Sequence, residues 1–186
     1  LQRAWEAGYH GSTVVLARRF LARYPDFGPV WGILADALIG LARYEEAEKA
    51  VSKALELPPR HNASRRILFS FLGHLHKKRG DYDRAAEWYR RAIDADPEES
   101  TGYVYLGAVL AEQGRFVEAE ETFRSATQCL YGCISETYYN LGVVLRNQER
   151  FREAADCFRD AILRDRDYRL AKKALRDVEL CIHQDA

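Results

Sequence analysis

The chain is 186 residues long, with 28 Lys and Arg balancing 28 Asp and Glu, 47% hydrophobic residues and four cysteines. Zero net charge gives no general drive toward nucleic acid or an anionic membrane, and no apolar run approaches the ~20 residues of a membrane-spanning helix. The cysteines are too sparse for a disulfide scaffold, and Cys129 and Cys133 find no second His or Cys pair to complete a metal site, so neither metal nor cofactor is expected and all four read as small buried hydrophobes.

Taken in chain order, residues 1–27 read as an incomplete hairpin, with a helix stub over 1–7 and a full helix over 8–25 that stops at Pro25. The sequence lacks Met and opens mid-pattern at Leu1, which reads as a fragment or a processed chain; the compartment is left open, with the cytoplasm as the expectation. A spaced set then begins. Trp31, Leu34, Ala35, Leu38, Ala47, Val51 and Ala54 recur as Phe69, Leu72, Gly73, His76, Ala85, Tyr89 and Ala92. The same spacing returns in Tyr103, Leu106, Gly107, Leu110, Ala119, Phe123 and Ala126, and again in Tyr138, Leu141, Gly142, Leu145, Ala154, Phe158 and Ala161.

Inside each set the first four residues fall at i, i+3, i+4 and i+7, one stripe of a helix, and the last three mark a stripe on a second helix. Residues 28–61, 66–99, 100–133 and 135–168 are therefore each expected to form a helical hairpin. A capping helix follows over 169–186, with Ala171, Ala174, Leu175, Val178 and Cys181 on one face. Gly73, Gly107 and Gly142 are expected opposite Ala85, Ala119 and Ala154. Trp31, Phe69, Tyr103 and Tyr138 join Tyr89, Phe123 and Phe158 as the expected intra-repeat core. Gly80 and Gly114 are placed to end first helices in a left-handed conformation.

At these residues the sequence resembles the tetratricopeptide repeat family, following its order of aromatic, Leu-Gly, Ala, aromatic and Pro over nearly the whole chain. The resemblance implies an all-α, right-handed superhelical solenoid of antiparallel helix hairpins whose first helices line a concave side. Departures stand at Tyr131 and Arg166, where Pro is replaced and looser corners are expected, and in a four-residue insertion within residues 58–65. The triplet Asn62-Ala63-Ser64 matches a glycosylation pattern, but Asn62 or Ser64 reads first as a helix cap.

Residues opposite each packing stripe would point into that groove. They are Pro29, Ile33, Asp36 and Gly40 in the first full hairpin, and Ile67, Phe71, His74 and Lys78 in the second, with Ser70 and Lys77 beside them. The third offers Thr101, Tyr105, Ala108 and Glu112, and the fourth Glu136, Asn140, Val143 and Asn147, flanked by Tyr139 and Arg146. Between residues 57 and 80 lie six Lys or Arg and three His but no acid. Phe71, His74, Lys77 and Lys78 are accordingly expected to receive an acidic or carboxylate-bearing segment, against the alternative that the basic residues only complement a helix C-terminus. In this family an Asn placed like Asn140 bonds the backbone of a bound peptide; Phe71, Tyr105 and Glu136 speak against the family's clamp for acidic chaperone tails.

No phosphate-binding loop, zinc-protease helix or nucleophile signature is present, so no catalysis is expected. His76 reads as a core histidine. The expected function is an interaction scaffold or adaptor that binds a partner peptide or helix in the groove. Two other readings are a homo-oligomer joined through the incomplete N-terminal repeat and the substrate-recruiting arm of a larger enzyme such as a glycosyltransferase.

Overall fold

The computed structural model of the protein describes residues 1–58 and 63–184. The Asn62-Ala63-Ser64 triplet, its proposed capping role and the 58–65 insertion thus involve positions 59–62, outside the described residues. The chain forms two compact units, Leu1–Asp96 and Pro97–Ala186. Among the described residues all regular elements are helices, so the expected all-α class holds.

The first unit contains α1 (Gln2–Glu6), α2 (His10–Arg23), α3 (Gly28–Gly40), α4 (Tyr44–Glu56), α5 (Ala63–Lys78) and α6 (Tyr82–Ala95). The second contains α7 (Ser100–Glu112), α8 (Phe116–Thr127), α9 (Ile134–Asn147), α10 (Phe151–Arg164) and α11 (Arg169–Gln184). Three-residue turns join the helices of every hairpin, so partners run antiparallel. Within the first unit α3 packs on α2, α4 and α5. Within the second α9 packs on α7, α8 and α10, and α11 covers α10.

Each turn reverses through one residue in the left-handed region: Ala42 (φ 56°), Gly80 (81°), Gly114 (76°) and Glu149 (61°). The glycines adopt it freely, whereas the Cβ of Ala42 and Glu149 meets backbone there. The second helices then open on a repeated ion pair. Arg43, Arg115 and Arg150 sit just before the helix and pair with Glu46, Glu118 and Glu153 three residues on, at 2.6, 2.5 and 2.6 Å. At α6 the polarity is reversed, Asp81 accepting from the Arg84 backbone N–H at 3.3 Å. Periodicity arguments pass over this feature because it lies on the solvent side.

The close approach inside each hairpin differs from the expectation. A Cβ on Gly73, Gly107 or Gly142 would collide with the rings of Tyr89, Phe123 or Phe158, and not with Ala85, Ala119 or Ala154. The missing side chain thus makes room for a ring on the second helix. The first hairpin carries a smaller ring substitute, Val51, and correspondingly keeps a methyl at Ala35, both fully buried. Tyr89, Phe123 and Phe158 are core, as expected. Trp31, Phe69, Tyr103 and Tyr138 are only half-buried: each ring leaves one side toward solvent and ties down its surroundings. Trp31 Nε1 donates to the Pro25 carbonyl at 2.7 Å and the Tyr103 hydroxyl to the Pro97 carbonyl at 3.3 Å. Phe69 stacks on Trp88, and the Arg164 guanidinium lies over Tyr138 at 4.0 Å.

The Tyr131 corner is tied and not loose. The backbone N–H groups of Leu130 and Tyr131 both donate to the Glu98 carbonyl, the second through a hydrogen that Pro would lack, and Ser100 N–H donates to the Tyr131 carbonyl at 3.0 Å. The cysteines are half-buried and not core, Cys129 and Cys133 lying outside the helices between α8 and α9; burial still pushes the Cys157 thiol up to about 11. In α11, Ala171, Ala174 and Val178 are buried and Leu175 and Cys181 half-buried. Its outer face mixes Lys172, Lys173 and Arg176 with exposed Leu170 and Leu180, so the cap is less polar than expected.

Candidate functional site: the first-helix faces

In the first unit the stripes opposite the packing faces of α3 and α5 converge. Pro29 and Ile33 of α3, Ile67 and Phe71 of α5, Leu55, Leu57 and Pro58 from the end of α4, and Trp5 of α1 line an apolar cavity of about 220 Å³. Among the described residues, Arg65 is the charged residue in its wall. The cavity exists because α3 places Gly28 and Gly32 on this side; the positions matching Gly32 in the later hairpins hold Ser70, Val104 and Tyr139. Trp5, Leu57, Pro58 and Arg65 were missed as lining residues, although the two glycines inside an otherwise apolar helix were a signal that space is left there.

Above the cavity the face becomes polar. Asp36 accepts a hydrogen bond from Trp5 Nε1 at 2.5 Å, which fixes the indole against α3. His74 shares a hydrogen bond of 3.1 Å with the hydroxyl of fully buried Tyr89. Burial lowers the His74 pKa to about 4, Asp36 opposing and Lys77 and Lys78 adding to the shift, so the imidazole is neutral at pH 7. With a neutral His74 bonded to Tyr89, the charge expected to meet a carboxylate on this face is that of the lysine ammoniums. Lys77 is half-buried and Lys78 exposed in the last turn of α5, beyond the cavity wall. Gly40 is exposed, and a Cβ there would meet the His10 ring at 2.6 Å. Ser70 is buried and donates to the Arg66 carbonyl.

The basic run divides by role. Arg79 pairs with Glu48 of α4 at 2.9 Å, Arg66 lies 3.6 Å from Asp96, and His76 is buried as expected, 3.6 Å from Asp81. The Arg79–Glu48 pair joins two hairpins, whereas the other two lie within the α5–α6 hairpin. Arg65 and Lys78 remain on the exposed surface.

In the second unit the corresponding side chains are mostly half-buried. Tyr105 and Ala108 of α7 and Asn140, Val143 and Arg146 of α9 are partly exposed, and Asn147 and Glu112 fully so. Tyr139 is not a free contact ring: it packs on Phe158 and Tyr168, with centroids 5.8 and 5.2 Å away. Thr101 is also engaged, its hydroxyl donating to the buried Glu99 carboxylate and lying 3.6 Å from Cys133 Sγ. Among the described residues no group of His, Cys, Asp and Glu is arranged to hold a metal ion, and no helix is long and apolar enough to cross a membrane.

A stack of helical hairpins whose first helices present a partly apolar face defines a repeat protein of the helix-turn-helix class. Tetratricopeptide repeat profiles match residues 28–61, 72–129 and 135–168, and the chain belongs to that family. Human protein O-mannosyl-transferase TMTC1 is 32% identical over 85 residues, 46% of this chain and 10% of that protein. The photosystem I assembly protein Ycf3 of Rippkaea orientalis is 30% identical over 92 residues, covering 46% of this chain and 53% of its own. The chain therefore matches about a tenth of the first relative and about half of the second. Among solved structures, YrrB, described as a TPR protein with an unusual peptide-binding site, superposes with a TM-score of 0.63 at 20% identity over 94% of this chain and 88% of YrrB. The first TPR of Spaghetti (RPAP3), bound to an HSP90 peptide, gives 0.60 at 18% identity over 65% of this chain and 95% of that one.

Proposed function

We propose that the protein is a non-catalytic interaction scaffold that holds an extended segment of a partner protein on its first-helix faces. The observation that carries this reading is the convergence of α1, α3 and α5 on an apolar cavity bordered by Arg65. Such a surface offers burial to a partner side chain, and the stacked hairpins pre-organise it, so that little ordering of the protein itself opposes binding. The peptide-binding site named for YrrB and the HSP90 peptide bound to the first TPR of Spaghetti (RPAP3) support a peptide as the kind of partner. Ile67, Phe71, Lys77 and Lys78 in the first unit, and Tyr105, Ala108, Asn140, Val143, Arg146 and Asn147 in the second, remain the proposed contact residues. His74, Thr101 and Tyr139 belong to the supporting layer.

Panning a random peptide library against the chain, followed by hydrogen exchange with the enriched peptide, tests the reading. Protection is expected in α3, α5, α7 or α9. Protection confined to α4, α6, α8 or α10 would place binding on the opposite faces and remove the proposal. A second reading, in which the repeats are the recruiting part of a larger enzyme, is favoured by the match to an O-mannosyl-transferase. The full reading frame decides it: a parent sequence with no catalytic domain eliminates that reading.

A further inference from the structure

We propose that the cavity of the first unit anchors one large apolar side chain of an acidic protein segment, and that a carboxylate about three residues away in the same segment meets Lys78 at the end of α5. The inference rests on the reading of the chain as a peptide-binding scaffold and specifies its ligand.

Size selects the occupant. At about 220 Å³ the cavity is smaller than the roughly 300–1,000 Å³ typical of sites for whole small molecules, and suits a single Leu, Ile, Met or Phe side chain. Its lining selects chemistry. Trp5, Ile33, Leu57, Ile67 and Phe71 provide an apolar wall with no carboxylate, and the indole of Trp5 is already held by Asp36, so the pocket stands ready without rearrangement. The bond from Trp5 leaves the Asp36 carboxylate charged, so the carboxylate of the bound segment is placed at the Lys78 end of α5 and not beside the cavity.

Charge selects what accompanies the anchor. No Asp or Glu occurs from residue 57 to residue 80, while Arg65 borders the cavity and Lys78 stands exposed on the continuation of the Ile67, Phe71 and His74 stripe. The first unit carries 16 Lys and Arg against 12 Asp and Glu, the second the reverse. An anionic segment is therefore drawn to this unit. Phe71 and Lys78 are about two turns apart along α5, about 10 Å at 1.5 Å per residue, and an extended peptide spans that in about three residues at ~3.4 Å each. Neutral His74 lies between them and leaves the lysine to supply the charge.

The test uses short random peptides displayed on phage, panned on the whole chain, with the enriched peptide then titrated calorimetrically into variants. Gly28→Leu should fill the cavity, because a Cβ at Gly28 meets only Leu57, at 3.9 Å. Ile67→Glu, at a site 40% exposed, places an acid in its wall and serves if Gly28→Leu melts lower than the parent. Enriched sequences are expected to pair a large apolar residue with Asp or Glu at three positions' distance. Affinity is expected to fall about ten-fold or more on Gly28→Leu or Ile67→Glu, the worth of one buried apolar side chain. It should also fall on Lys78→Glu and stay unchanged on Lys172→Glu in α11. An enriched peptide that ignores both cavity variants but is lost on Tyr105→Ala overturns the anchor while leaving the scaffold reading intact. Failure to enrich any peptide overturns both. Displacement of the peptide by lauric acid at equal concentration would make the cavity a lipid site and also overturn the proposal.

Discussion

Tyr89 shows how one atom dictates a neighbour. Its ring fills the place held by Phe123 and Phe158 in the later hairpins, but its hydroxyl is carried into the core and requires a partner, which His74 supplies at 3.1 Å. Where the ring is Phe, the position matching His74 is Ala108 or Val143. His74→Val alone is therefore expected to cost roughly 1–3 kcal/mol by orphaning the hydroxyl, and Tyr89→Phe added to it should restore most of that loss in urea melts. The same histidine confers a pH dependence. It binds a proton near 6.5 in the unfolded chain but near 4 when folded, so the unfolded state takes up the proton first as pH falls. Stability is expected to drop by roughly 2–3 kcal/mol between pH 7 and pH 4.5, and the His74→Val, Tyr89→Phe double variant should lose that part of the slope.

At the level of the element, each hairpin is set by a volume exchange across its two helices and by one left-handed turn residue. Gly107→Ala would bring a methyl to 2.6 Å from the Phe123 ring, and an overpacking loss of roughly 1–3 kcal/mol is expected. Adding Phe123→Val, which recreates the Ala35 and Val51 pairing of the first hairpin, should recover part of it in thermal melts. The turns offer the opposite sign. Glu149 occupies φ 61° with a Cβ, so Glu149→Gly is expected to stabilise the second unit by about 0.5–1 kcal/mol, whereas Gly114→Ala should destabilise it by a similar amount. Neither glycine–ring contact nor Glu149 turn was visible in periodicity, because spacing names the stripe a residue occupies and not the atom it meets.

At the scale of each unit, hairpin packs on hairpin, and the contacts that join them there are partly ionic. In the second unit Glu120 is buried on α8 and accepts from Arg150 Nη1 at 2.7 and 2.8 Å, from Gln148 at 2.9 Å and from Arg124 at 2.6 Å. Burial raises its pKa, but the hydrogen bonds from Arg150 and Gln148 outweigh it and hold the carboxyl below its usual range. Glu120→Ala is expected to lower stability by roughly 2 kcal/mol, measured by denaturant unfolding, since it strips charge-assisted bonds from the turn of the next hairpin. In the first unit Glu48 and Arg79 make the analogous link with less burial, so Glu48→Ala should cost well under half as much.

Much of the architecture was legible in the order of residues. The repeated spacing pointed to paired helices and to most of the buried positions of α3 to α10, because burial in a stacked array repeats with the chain and leaves its period in the sequence. The sequence also displayed the acid-free stretch between residues 57 and 80. What it left open was decided by packing in three dimensions: that rings and not alanines fill the space beside the glycines, that Thr101 and Tyr139 turn inward to their own unit, that His74 is neutral, and that Trp5 from the first short helix closes the side of a cavity made by Gly28 and Gly32. These depend on which side chains meet across helices distant in sequence. Their volumes and hydrogen bonds are fixed only when the hairpins close.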